Sequence, residues 1–184
     1  MKIVAGKYGG RKLIVPKGRD IRPTTDKVRG AVFNMLSSRG AVEGAKVLDV
    51  FCGSGALGLE ALSRGAAHCY FIDKARSSIE LAKENVIALG AADNCDFSVR
   101  DSAKLLEKPS DNDAYSMVFL DPPYNKGLIP KVLEKLIGGN WLERDAWIVC
   151  ESERSFDLPE TLGISVDSEK TYGDIKITLA QYIS

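Results

Sequence analysis

Two hydrophobic rhythms alternate along most of this chain. Short runs rich in apolar residues fall at 46–51 (Lys-Val-Leu-Asp-Val-Phe), 68–73 (His-Cys-Tyr-Phe-Ile-Asp), 95–100, 116–121 (Ser-Met-Val-Phe-Leu-Asp) and 146–151, and they read as buried strands. Helical patterns occupy about 56–64, 76–89 and 126–138 between them. Such alternation predicts a mostly parallel sheet with helices on both faces. Two further strand-like segments, 164–171 and 175–183, are joined at Tyr172-Gly173-Asp174 with no room for a helix. They must pair as a hairpin, so the predicted seven-stranded sheet carries an antiparallel edge strand. Ahead of this, Ile3-Val4-Ala5 and Lys12-Leu13-Ile14-Val15 flank Tyr8-Gly9-Gly10 and predict a β-hairpin. The polar stretch Arg22-Pro23-Thr24-Thr25-Asp26 then leads into an amphipathic helix through Val28, Val32, Phe33, Met35 and Leu36, closed by Gly40. The expected organisation is therefore a hairpin-and-helix extension over residues 1–40 and an α/β, Rossmann-like domain over 41–184.

The bulk numbers narrow the function. A chain of 184 residues, 45% of them apolar, suits one globular domain and hence one active site. Its cysteines, Cys52, Cys69, Cys95 and Cys150, form no C-x-x-C pair and share a single histidine, His68, which argues against a metal site. No signal-peptide core opens the sequence, and no run approaches the roughly 18 apolar residues of a membrane span. A cytoplasmic protein with free thiols is expected. Charge is unevenly spread: residues 1–40 hold ten Lys/Arg against Asp20 and Asp26, net +8, whereas the remainder holds 15 basic and 23 acidic residues, net −8. A basic extension on an acidic body suits an enzyme that grips phosphates at one edge. Charges that cancel on a solvated surface would look the same in sequence.

After the strand at 46–51 comes Gly53-Ser54-Gly55-Ala56-Leu57-Gly58, a match to G-x-G-x-x-G, and Asp73 follows 18 residues beyond Gly55. Alone this is a dinucleotide fingerprint, so an NAD-dependent oxidoreductase is a competing reading. Asp49, inside the strand four residues before Gly53, separates the two. A carboxylate there opposes a pyrophosphate but attracts the ammonium of a methionine moiety, directly or through water. S-adenosylmethionine is thus the expected cofactor. Ligands of open α/β sheets lie at the carboxyl ends of the strands. On that topology Asp49, Phe51, Gly53 and Gly55 face the methionine part, Asp73 and its neighbour Lys74 the ribose, and Asp101, Ser102 and Ala103 the adenine.

The strand at 116–121 runs into Asp121-Pro122-Pro123-Tyr124. Two prolines remove two backbone donors, leaving a loop of acceptors. The exocyclic amine of a nucleobase is a poor nucleophile because its lone pair is delocalised into the ring. Accepting its protons at the Asp121 carboxylate and the Pro122 carbonyl would orient it and favour its pyramidal form. Tyr124 can stack on the base. The residues thus predict an amino methyltransferase of nucleic acid, and Arg11, Lys12, Arg22, Thr24, Thr25 and Arg29 are the candidates to hold it. The bland alternatives are a Pro-Pro turn capping a strand and carboxylates that merely end strands in solvent.

Over nearly its whole length the chain resembles the bacterial 16S ribosomal RNA guanine-N2 methyltransferases of the RsmD type. The resemblance rests on Ile3-Val4-Ala5-Gly6-Lys7 with Gly10-Arg11-Lys12-Leu13, on Arg22 through Arg29, Phe33-Asn34, Gly53 through Gly65, Asp121 through Tyr124, and Tyr172-Gly173-Asp174. Cys52 departs from it, standing where such loops commonly have alanine. The resemblance implies a guanine in 16S RNA, presented on the small ribosomal subunit, as substrate, with no membrane and no metal. A DNA adenine-N6 or cytosine-N4 methyltransferase shares the Asp-Pro-Pro-Tyr loop, but a sequence-selective one usually needs a target-recognition domain that 184 residues hardly accommodate. A binding module that keeps the cofactor fold without turnover is the third class, and the intact Asp121 and Tyr124 speak against it.

Overall fold

The computed structural model describes residues 1–16, 25–105, 114–124, 126–159 and 163–184. Seven strands form one sheet: β1 (Lys46–Val50), β2 (His68–Asp73), β3 (Cys95–Val99), β4 (Tyr115–Leu120), β5 (Leu142–Glu153), β6 (Ile164–Tyr172) and β7 (Ile175–Tyr182). Their spatial order is β3-β2-β1-β4-β5-β7-β6, parallel from β3 to β5. β7 runs antiparallel to both β5 and β6. It lies inside the sheet and β6 forms the edge, because the turn at Gly173, with φ 63°, folds β7 back between its neighbours.

Among the described residues, four α-helices accompany the sheet: α1 (Asp26–Ser38), α2 (Ala56–Ser63), α3 (Arg76–Leu89) and α4 (Leu128–Gly138). Two apolar layers result. One gathers Val32, Phe33, Val47, Leu59, Phe71, Ile79, Val86 and Phe119, joining α1, α2 and α3 to one face. The other packs Leu133 and Leu136 of α4 on Leu48, Val50, Val118 and Ile148. The third glycine of the loop makes the first layer possible: a Cβ on Gly58 would stand 2.5 Å from both the Cys69 sulfur and the Phe71 ring, so only glycine lets α2 lie this close to β2.

The N-terminal segment departs in part from its expected form. The predicted hairpin forms but is short: around one antiparallel bridge, Lys2 to Lys12, Ile3 N–H donates to the Arg11 carbonyl and Gly10 N–H to the Ile3 carbonyl, both at 2.9 Å, and Leu13 N–H donates to the Met1 carbonyl at 3.1 Å. Beyond Ile3 the first arm is held by α2 instead, where the buried carboxylate of Glu60 accepts the Val4 and Ala5 N–H groups at 2.7 and 3.1 Å. Ile3 and Leu13 are buried with α1 in the same apolar layer as the sheet. No helix among the described residues is long and apolar enough to cross a membrane.

Candidate active site

The strand order reverses between β1 and β4, whose helices α2 and α4 lie on opposite faces, and this is where open α/β sheets form a crevice. Val50 and Leu120 are register partners. The glycine loop and the Asp121–Tyr124 loop therefore leave the sheet side by side.

The first loop is strained where it begins. Phe51 holds φ 65°, a left-handed conformation costly for an aromatic residue, and Gly53 and Gly55 follow at 54° and 78°. A Cβ on Gly53 would meet nothing within 4 Å, so one side of the loop is open for a ligand. Gly55 instead backs onto the Phe71 ring and Ala82. The Asp73 carboxylate braces the loop, accepting Gly53 N–H at 3.1 Å and Ala75 N–H at 2.8 Å. A carboxylate offers about four acceptor positions, so this bracing leaves capacity for ribose hydroxyls. Lys74 beside it is exposed. Asp49 is buried and accepts the Gly58 N–H at 2.9 Å, in the first turn of α2. Burial pushes its carboxyl up to about 8; the Gly58 bond pulls the other way and the nearby Asp73 charge adds to the rise. A cation arriving beside Asp49 would favour its ionised form; a pyrophosphate would not. Beyond β3, Asp101 is exposed and caps a short 3-10 turn by accepting Ala103 N–H at 3.1 Å, while Ser102 is buried.

In the second loop Pro122 is buried, Pro123 is exposed, and Asp121 and Tyr124 are half-buried. The Tyr124 hydroxyl donates to Oε1 of Glu151 at 2.6 Å, which fixes the orientation of its ring. Together with Lys126, Leu128 and Phe156, these prolines, Tyr124 and Glu151 line a hollow at the end of β4 and β5. Among the described residues, no group of His, Cys, Asp and Glu could hold a metal ion.

With this geometry in place, comparison with known proteins is specific. The family described as "Conserved hypothetical protein 95" matches residues 1–181. The protein named ribosomal RNA small subunit methyltransferase D in Escherichia coli (strain K12) is 36% identical over 182 residues, spanning 98% of this chain and 89% of its own length. The chain belongs to the RsmD family. Another RsmD relative, the protein of the same name in Haemophilus influenzae, is 32% identical across 98% of this chain and 93% of its own. The solved structure described as "Putative methyltransferase yhhF from Escherichia coli" matches with a TM-score of 0.84 and 35% identity, covering all of this chain and 98% of that one.

The basic candidates of this RsmD chain divide sharply. Arg22 and Thr24 lie outside the described residues. Thr25 is the N-cap of α1, its hydroxyl accepting Val28 N–H at 3.2 Å. Arg29 is a correction: its side chain is 0% exposed, bonded to Asp26 at 2.9 Å, to Glu60 at 3.5 Å and to the Lys2 carbonyl, so it braces the N-terminal segment and cannot face phosphates. Arg11 is exposed yet donates to the Ala88 carbonyl at the end of α3. Lys12 is exposed as well.

Three further residues, none of them part of a sequence motif, hold the site together. Glu60 gathers Val4, Ala5, Arg29 and Arg64 on one carboxylate. Asn85 exchanges two bonds with Ile14 and donates to the Ser54 carbonyl at 2.9 Å, tying the N-terminal segment to the glycine loop. Glu151 anchors Tyr124. The signal for the last two was visible: Asn85 is a polar residue on the buried stripe Ile79-Ala82-Val86-Leu89, and Glu151 ends an apolar strand just as Asp49 interrupts one.

Proposed function

We propose that this protein transfers a methyl group from S-adenosylmethionine to the exocyclic N2 of a guanine in 16S ribosomal RNA of the small subunit. The observation that carries this reading is the Val50–Leu120 register, which brings an open glycine loop and an amine-accepting loop to one crevice. Family membership and the names of the relatives support ribosomal RNA as the substrate.

When bound, the cofactor supplies an electrophilic methyl on a sulfonium. Gly53 leaves room for its methionine part, Asp49 offers that part's ammonium a carboxylate, Asp73 accepts from its ribose, and Ser102 and Ala103 border its adenine beside Asp101. Asp121 and the Pro122 carbonyl accept the two protons of the target amine, turning its lone pair out of conjugation. Tyr124, held by Glu151, presents a ring on which the base stacks. Arg11 and Lys12 remain the basic candidates for the RNA backbone within the described residues, with Arg22, Thr24 and Thr25 beside them in sequence.

The experiment is methyl transfer from a labelled donor to small subunits, naked 16S RNA and duplex DNA, with the product nucleoside identified by mass spectrometry. N2-methylguanosine from 16S RNA is the expected product. Label appearing only as N6-methyladenine or N4-methylcytosine in DNA would overturn the reading.

A further inference from the structure

The Asp-Pro-Pro-Tyr loop explains how an amine is held but not which base carries it, since adenine, cytosine and guanine all offer one. The difference lies one atom away along the Watson–Crick edge. Beside their amines, adenine and cytosine present a bare ring nitrogen that accepts a hydrogen bond. Guanine alone presents a ring N–H, which donates.

The structure puts a second acceptor next to the first. Leu120 of β4 and Cys150 of β5 are parallel register partners, so Asp121, the first residue past β4, leaves the sheet beside Glu151 of the neighbouring strand. Strands lie about 4.8 Å apart, and residues in parallel register point to the same face. Glu151 is 5% exposed, unusual for a carboxylate unless it is hydrogen-bonded, and the Tyr124 hydroxyl at 2.6 Å holds it. It lines the same hollow as Pro122, Pro123 and Tyr124, and Glu153, two residues on, lines it too. Two carboxylates and the Pro122 carbonyl thus border this hollow, with Lys126 as a cation on its rim.

Resting on the guanine-N2 reading above, we propose that Glu151 is a specificity-determining residue: its carboxylate accepts the guanine N1–H while Asp121 and Pro122 accept the N2 protons. A base with an unprotonated ring nitrogen at that point would set acceptor against acceptor. Adenine and cytosine are refused on that ground, however well their amines fit the loop. The bond from Tyr124 gives the carboxylate a fixed position, so the ring that stacks on the base and the group that reads its edge are set by one contact.

The test uses 2-aminopurine, which keeps the 2-amine but has a bare N1. After the methylated position is mapped with wild-type enzyme, small-subunit RNA is prepared with guanine or 2-aminopurine there, and kcat/KM is measured for wild type and Glu151→Gln. Glutamine still accepts from Tyr124 and adds an N–H that can pair with a bare N1. Wild type should prefer guanine by about two orders of magnitude, since the carboxylate is otherwise left facing a lone pair. Glu151→Gln should lose activity on guanine, gain relative activity on 2-aminopurine, and narrow the preference at least tenfold. Wild-type enzyme that methylates both bases alike would overturn the proposal without any variant. So would a Glu151→Gln protein that loses activity equally on both, which would make Glu151 only a support for Tyr124. No methyl transfer from wild type to guanine N2 in either RNA would instead sink the parent reading.

Discussion

Replacing Glu60 by alanine tests how the N-terminal segment is held. The carboxylate is fully buried and takes four donors: Val4 N–H at 2.7 Å, Ala5 N–H at 3.1 Å, Arg64 Nε at 2.7 Å and Arg29 Nε at 3.5 Å. Without it, the partners left to the buried Arg29 guanidinium among the described residues are Asp26 and the Lys2 carbonyl. Removing one member of a buried ion pair costs about 3–5 kcal/mol, chiefly through the charge left behind. That is a large part of the roughly 5–15 kcal/mol that stabilises an ordinary domain. For a chain of this size it corresponds to a fall in Tm of roughly 6–20 °C. Denaturant titration reads the loss, and hydrogen exchange should show the Val4 and Ala5 amides losing protection before the sheet does. Glu60→Gln keeps an acceptor for the two amides but loses the charge, so it should fall between wild type and alanine. A loss below about 1 kcal/mol with the Val4 and Ala5 amides still protected would refute the reasoning.

Asp73→Ala is expected to weaken S-adenosylmethionine binding by about 1.5–3 kcal/mol, the range for hydrogen bonds to a charged group, and calorimetry showing unchanged affinity would place the ribose elsewhere. Asp49 should make stability depend on pH: its folded-state value is about 8 against an ordinary 3.8, so its contribution is complete below about pH 4 and is lost as pH rises toward 8. Urea midpoints of Asp49→Asn should therefore gain on wild type between pH 5 and pH 8.5, and parallel curves would contradict the assignment. Lys12, exposed and without a structural bond of the kind Arg11 makes to Ala88, separates RNA binding from folding. Lys12→Ala should make the salt slope of RNA binding shallower by about 0.7–0.9 with no change in Tm. Arg11→Ala should lower Tm as well; if neither variant moves the slope, the segment is a structural strap alone.

Much of this architecture was legible because it is local. Runs such as Val47-Leu48 and Met117-Val118-Phe119-Leu120 declare strands, and the β1 loop declares itself by glycines at fixed spacing. Parallel pairing then leaves few topologies, so placing Asp49, Asp73 and Asp121 near one edge needed only strand order. What was not legible depends on contacts between distant segments. Arg29 looks like a phosphate ligand in a basic stretch, yet Glu60, 31 residues away, draws it inside. The same carboxylate holds the Val4 and Ala5 amides where the short N-terminal hairpin ends. Asn85 and Glu151 carried a detectable sign, a polar residue in an apolar pattern, but their partners Ile14, Ser54 and Tyr124 belong to other elements. No periodicity names such partners.

If Asp121 holds the amine that receives the methyl group, its removal must slow transfer without loosening the cofactor. Single-turnover methyl transfer to 16S RNA in small subunits is compared for wild type and Asp121→Ala, with S-adenosylmethionine affinity measured on both by calorimetry. The expected result is a rate loss on the order of 10² to 10³, as for removal of a preorganised polar contact, with cofactor affinity nearly intact. An Asp121→Ala enzyme that turns over at the wild-type rate would make the Pro-Pro loop no more than a turn.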